Sequence, residues 1–232
     1  MKSKIVFALD TDIEKAKYVV KKAKKYGFEI FKIGHLLFDT HPEIINYITS
    51  QNLKVLLDLK FHDIPSVVAK AVKGILQKYK IFAFTVHSLG GEKMLFEIKK
   101  TIDEFKEKPI IFAVTILTSL SDKDLKQLGF KTKTKSVVLN LAKLVKKCGV
   151  DGVVCSPKEV KLVKKTCGEN FLTLVPGVNL GDLSLKKDQQ RVSSIKDIIS
   201  VADYIVVGRS IYESPNIDNT LQYLYNLINK TL

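Results

Sequence analysis

Asp58, Lys60 and Asp63 crowd into the run Val55-Leu56-Leu57-Asp58-Leu59-Lys60-Phe61-His62-Asp63-Ile64-Pro65, and no other stretch of the chain is as well equipped for chemistry. Residues 55–60 have the β-branched and leucine content of a buried strand. Side chains two apart on a strand share a face, so the Asp58 carboxylate and the Lys60 ammonium project together. A fixed ammonium can stabilise negative charge developing beside it and then donate a proton to the same atom. Asp63 follows where the strand must end, because Pro65 cannot continue a ladder but can open a helix. Desolvating such ions costs roughly several kcal/mol each, so a buried strand gains no stability from carrying them at its tip. The competing account is a structural ion pair, with Asp63 as the N-cap of the next helix.

These groups need a frame, and the hydrophobic pattern supplies one. Short apolar runs at 5–10, 30–34, 55–60, 82–87, 110–117, 152–156, 172–176 and 204–208 alternate with helical patterns at 12–26, 41–51, 64–79, 91–106, 136–148, 157–167, 193–201 and 217–230. Near-continuous apolar strands joined by helices mean a parallel sheet covered on both faces. Eight such units within 232 residues predict an α/β fold, a single-domain (β/α)₈ TIM barrel spanning 1–232. A doubly wound open sheet is the alternative, but no G-x-G-x-x-G follows the first strand. Barrel sites lie at the C-terminal ends of the strands. Asp10, Lys32, Asp58, Lys60, His87, Thr118, Ser119, Ser156, Pro176, Gly177, Gly208 and Arg209 all fall there. Taken singly, Thr118 and Ser119 could cap the segment starting near Ser121, and His87 could be a hydrogen-bonded core histidine.

A formal net charge of +14 raises the question of nucleic acid. All but two of the 38 basic residues are lysines, and they recur at helical spacing among Ala, Val and Leu, as on solvated helix faces. The arginine forks that read bases are scarce, so no nucleic-acid partner is expected, although a basic surface can draw in a small anion. No apolar run nears the ~20 residues of a membrane span, and the start of the chain lacks a signal-peptide pattern, so no membrane association and a cytoplasmic location are expected. Cys148, Cys155 and Cys167 have no C-x-x-C spacing and are expected to be reduced. His35, His41, His62 and His87 show no ligand spacing with them, so no zinc site is expected.

In order along the chain stand Asp10, Lys32, Asp58-x-Lys60-x-x-Asp63-Ile64-Pro65, Leu117-Thr118-Ser119, Pro176-Gly177, Asp188-Gln189 and Val207-Gly208-Arg209. With these residues the sequence resembles orotidine 5′-phosphate decarboxylases of the bacterial branch, from the first strand to the last helix. The resemblance implies a homodimeric (β/α)₈ barrel that converts orotidine 5′-monophosphate to UMP and CO₂ in pyrimidine biosynthesis, without metal or organic cofactor. It implies that Lys60 protonates C6 of the pyrimidine. Lys32, Asp58, Lys60 and Asp63 would form an alternating charge network, with Asp63 reaching into the partner subunit's site. It further implies that Asp10 binds the ribose, that Thr118 and Ser119 border the substrate, and that Gln189, Gly208 and Arg209 grip the phosphate. One position departs: where the family usually has Pro-Gly-Ile-Arg, this chain has Pro176-Gly177-Val178-Asn179, so Asn179 stands at the substrate without the usual positive charge.

The chemistry fits the residues. Losing CO₂ from a ring carbon without a carbonyl placed as an electron sink leaves a localised carbanion. A unit charge about 4 Å away interacts with it by about 4 kcal/mol at an effective dielectric near 20. Asp58 would press on the substrate carboxylate and lose that repulsion as neutral CO₂ leaves. The polar segment 179–192 reads as a closing lid or as an ordinary surface loop. The alternative function is an Mg²⁺-dependent sugar-phosphate decarboxylase or aldolase of the same barrel superfamily, whose carboxylates would hold the metal.

Overall fold

The apolar runs form the eight strands of a closed parallel barrel in the computed structural model, which describes residues 4–180 and 193–230. The barrel strands are β1 (Lys4–Ala8), β2 (Ile30–Gly34), β3 (Lys54–Phe61), β4 (Ala83–His87), β5 (Ile110–Val114), β6 (Gly152–Val154), β7 (Leu172–Val175) and β8 (Tyr204–Val207). Each pairs with its sequence neighbours, and β1 closes the ring against β8, with Lys4 opposite Tyr204 and Phe7 opposite Val207. Among the described residues no helix is long and apolar enough to cross a membrane.

The helices follow local sequence chemistry. Helix α1 (Ile13–Lys25) starts where the Asp12 carboxylate accepts the Lys15 amide at 2.9 Å, and it ends on Lys22, Lys24 and Lys25, where cations suit the helix dipole. Helices α2 (His35–Thr40) and α3 (Ile44–Thr49) replace the one expected over 41–51. Pro65 opens α4 (Pro65–Lys78), whose N-cap is Ile64. Beyond β4 come α5 (Gly91–Asp103), α6 (Asp122–Gln127) and α7 (Thr134–Lys147). The Ser121–Asp124 capping box starts α6, an element the apolar pattern did not reveal because it buries only Leu125. The chain continues through α8 (Val160–Cys167), α9 (Ile195–Ile198), α10 (Arg209–Tyr212) and α11 (Ile217–Lys230). A two-residue strand pair, Val178–Asn179 with Ser193–Ser194, lies outside the barrel.

Alternation along the strands sorts side chains into two cores. Ile5, Phe7, Phe31, Ile33, Val55, Leu57 and Ile111 belong to the large core between sheet and helices. Val6, Ala8, Ile30, Leu56, Ala83, Phe112, Leu174, Tyr204 and Val206 form a separate cluster, the filling of the barrel. Two positions further along the same inward rows stand Asp10, Lys32, Asp58, Thr85 and Gly208. The barrel thus changes from hydrocarbon to charge within one layer of side chains.

Candidate active site

That polar layer floors a cavity of about 650 Å³ at the C-terminal mouth of the barrel, a volume suited to a small-molecule ligand. Four charges alternate across it. The Lys32 ammonium lies 3.0 and 3.1 Å from the two oxygens of Asp10 and 3.1 Å from Oδ2 of Asp58. Oδ1 of Asp58 in turn lies 3.0 Å from Nζ of Lys60. Lys32 and Asp58 are buried, with side chains 9% and 12% exposed, whereas Lys60 and Asp10 open to the cavity at 36% and 47%.

Mutual pairing keeps the buried members charged. Burial works to raise the Asp58 pKa, but Lys32, Lys60 and the hydrogen bonds from Lys60 and Thr85 outweigh it and bring it down to about 2. Burial likewise opposes the Lys32 ammonium, yet Asp58 and Asp10 leave its pKa above that of an ordinary lysine. Gly34 makes the cluster sterically possible: a Cβ there would sit 3.0 Å from Oδ1 of Asp10 and 3.6 Å from Nζ of Lys32.

Lys60 reaches the site from a distorted strand. Between Leu57, opposite Phe84, and Phe61, opposite Val86, the β3–β4 register slips, so three residues of β3 face Thr85 alone. Lys60 adopts φ 49°, in the left-handed region. The side chains of Asp58 and Lys60 meet as strand spacing predicts, but through a bulge rather than a regular pleat.

Across the cavity, Thr118 (9% exposed) and Ser119 line the wall beyond β5, and Asn179, Gly208 and Arg209 line the side beyond β7 and β8. Gly208 allows a close approach of strand ends, since a Cβ there would come within 3.2 Å of that of Ala8. Gln189 and Asp188, like most of the segment 179–192, lie outside the described residues.

Three further residues near the mouth, Asp63, Ser156 and His87, stand outside the cavity lining. Asp63 is exposed and does not line this cavity; its Oδ1 accepts the amide of its neighbour Ile64 at 2.6 Å. It is not the N-cap of α4 either, a position held by Ile64 without a side-chain cap. Ser156 is fully buried and donates through its hydroxyl and amide to Oε2 of Glu159, the residue before α8. His87 stacks on His62 with ring centroids 5.1 Å apart, and its Nδ1 accepts the Leu89 amide at 3.3 Å. Burial, followed by His62 and Lys60, lowers the His87 pKa to about 4. The sequence reading missed Gly34, His35, Ser210 and Tyr212 on the lining, and Thr85 beneath it. The inward rows of β4 and β8 pointed toward Thr85 and Ser210 once the barrel phase was known.

The profile of the "Orotidine 5′-phosphate decarboxylase / HUMPS family" matches residues 3–223. An orotidine 5′-phosphate decarboxylase from Carboxydothermus hydrogenoformans is 40% identical over 223 residues, covering 93% of this chain and 92% of the relative. The crystal structure of orotidine 5′-phosphate decarboxylase from Lactobacillus acidophilus superposes with a TM-score of 0.83 at 32% identity, over 99% of this chain and 100% of the other. That of orotidine 5′-monophosphate decarboxylase from Methanocaldococcus jannaschii, complexed with the inhibitor BMP, gives 0.77 at 25% identity, over 99% and 100%.

Proposed function

The chain belongs to the orotidine 5′-phosphate decarboxylase / HUMPS family and is a carbon–carbon lyase, and on that premise we propose that it decarboxylates orotidine 5′-monophosphate to UMP with no metal or organic cofactor. The observation that carries this reading is the unbroken series Asp10–Lys32–Asp58–Lys60, each contact between 3.0 and 3.1 Å. The C6–CO₂ bond breaks, its electron pair stays on C6, and Nζ of Lys60 stabilises that pair and then protonates it. Solvent returns a proton to Lys60. Asp58, held ionised at the cavity floor, repels the substrate carboxylate until neutral CO₂ departs.

The remaining groups bind the ends of the substrate. Asp10, nearly half exposed beside Lys32, accepts hydrogen bonds from ribose hydroxyls. Gly208 and Arg209 hold the phosphate through backbone and guanidinium, and Gln189 and Asn179 contribute to the same grip. Asp63, exposed at the rim of its own barrel, serves the site of a second copy in a homodimer. The chain acts as one catalytic domain, in the cytoplasm; its three described cysteines are buried free thiols, in keeping with that location.

The rival metal-dependent sugar-phosphate chemistry needs carboxylates able to hold Mg²⁺. Here one ammonium contacts both Asp10 and Asp58, and among the described residues no three His, Cys, Asp or Glu side chains cluster as a metal site. A spectrophotometric assay of orotidine monophosphate loss, with and without EDTA, tests the proposal. Equal turnover in both is expected. No turnover of the nucleotide, or turnover abolished by EDTA and restored by Mg²⁺, would overturn it.

A further inference from the structure

The bulge that delivers Lys60 leaves its backbone short of a ladder partner. Leu57 pairs with Phe84 and Phe61 with Val86, so on the β4 side Asp58, Leu59 and Lys60 share Thr85 as their one opposite number. The Thr85 side chain fills the gap. Its Oγ1 accepts the Lys60 amide at 2.9 Å and donates to Oδ1 of Asp58 at 2.9 Å. Thr85 is completely buried and does not line the cavity, so it cannot touch a ligand there.

We propose that Thr85 is a positioning residue for the decarboxylation: its single hydroxyl fixes the left-handed backbone of Lys60 and the carboxylate of Asp58 at the separation the reaction uses. The Lys60 ammonium contacts the same oxygen, Oδ1 of Asp58, that receives the Thr85 hydroxyl. Backbone amide, hydroxyl, carboxylate and ammonium thus close a ring around one residue pair. A non-glycine residue at φ 49° is held only where surrounding contacts over-determine it. The hydrogen bond to the Lys60 amide is one such contact, and the ion pair to Asp58 is the other. Without the hydroxyl, the Lys60 amide loses this partner beside the bulge, and the Asp58 carboxylate is oriented only by its ion pairs to Lys32 and Lys60. Misplacing a catalytic group by about 1 Å can cost about a hundredfold in rate.

The inference rests on the decarboxylase reading, and its test separates the two. Thr85→Ser keeps the hydroxyl and loses the methyl, whereas Thr85→Val keeps the shape and loses the hydroxyl. Both are assayed for kcat and KM with orotidine monophosphate, for UMP affinity, and for melting temperature. Thr85→Ser is expected within about threefold of wild-type kcat and Thr85→Val down by about 10- to 100-fold, with UMP affinity changed little in either. If Thr85→Val does not fold, Thr85→Ala takes its place and must fall about tenfold or more below Thr85→Ser in kcat per folded site. A packing role gives the opposite order, and kcat of Thr85→Val or Thr85→Ala equal to or above Thr85→Ser would overturn the inference, as would a Thr85→Ser protein that cannot fold. Wild-type protein inactive on the nucleotide would instead overturn the decarboxylase reading, and this inference with it.

Discussion

Lys60 and Asp58 stand at the point where the barrel's hydrocarbon filling gives way to charge, and their pairing determines what each can do. An ammonium 3.0 Å from a carboxylate is oriented by it, and it transfers its proton only when a strong base forms beside it. In the proposed mechanism, Lys60→Ala removes carbanion stabiliser and proton donor together. At least about a hundredfold loss of kcat is expected, with the barrel's circular dichroism unchanged. Retention of a tenth of the rate, corresponding to about 1.4 kcal/mol, would take Lys60 out of this role. A different residue, His87, contributes to acid stability. The folded chain keeps His87 neutral down to about 4, against 6.5 for a free imidazole. Between those values the unfolded chain binds a proton that the folded chain does not, so stability is complete above about 6.5 and declines as pH falls toward 4. Denaturant midpoints measured from pH 7 to pH 4 should fall less steeply in His87→Gln than in the wild type; parallel curves would refute the assignment. Asp58 acts in a lower window: its carboxylate contributes above the usual 3.8 and loses that contribution only as pH drops through about 2.

Among the elements, the strand ends were easier to read from the sequence than the connections. Runs such as 30–34 match β2 residue for residue because a parallel strand buried on both faces is mostly apolar, Lys32 being the one charge that β2 carries into the site. The spacing of Asp58 and Lys60 likewise disclosed their contact, although not the bulge at Thr85, which depends on register between strands and leaves no mark on one strand's composition. Helix α2 was hidden because it starts directly from Gly34, without a side-chain cap or loop residues to announce it. Helix α10 is a single turn, too short to show a period, yet it carries Arg209 onto the rim of the cavity. Arg209→Ala should lower kcat/KM for orotidine monophosphate by about tenfold or more, and far less for the phosphate-free nucleoside, because binding energy from a remote group can be used at the reacting carbon. Equal losses on both substrates, measured side by side, would show that Arg209 does not hold the phosphate. Asn179 stands on the same rim, at the position where the sequence resemblance leads us to expect an arginine.

At the scale of the whole molecule, one barrel brings together Asp10, Lys32, Asp58 and Lys60 and leaves Asp63 apart from them. Asp63 lies at the exposed end of β3, next to Ile64, which is 62% exposed, and close in sequence to Val67 at 43%. An acid and large apolar side chains together on the rim suit burial against a second copy, and a two-fold axis would make the donation reciprocal. The family resemblance implies that Asp63 reaches the partner subunit's site, and the proposed shared site is open to test. Each site would then take Lys60 from one subunit and Asp63 from the other. Lys60→Ala and Asp63→Ala homodimers should both be crippled. After co-refolding in equal amounts, about half the dimers are mixed, and each mixed dimer has one site lacking both groups and one site intact, so roughly a quarter of wild-type activity should return. If Asp63 acts only within its own subunit, every site still lacks one group and nothing returns. Subunit exchange, followed with differently tagged copies, shows that mixed dimers have formed, so that an unchanged rate in their presence would rule out the shared site.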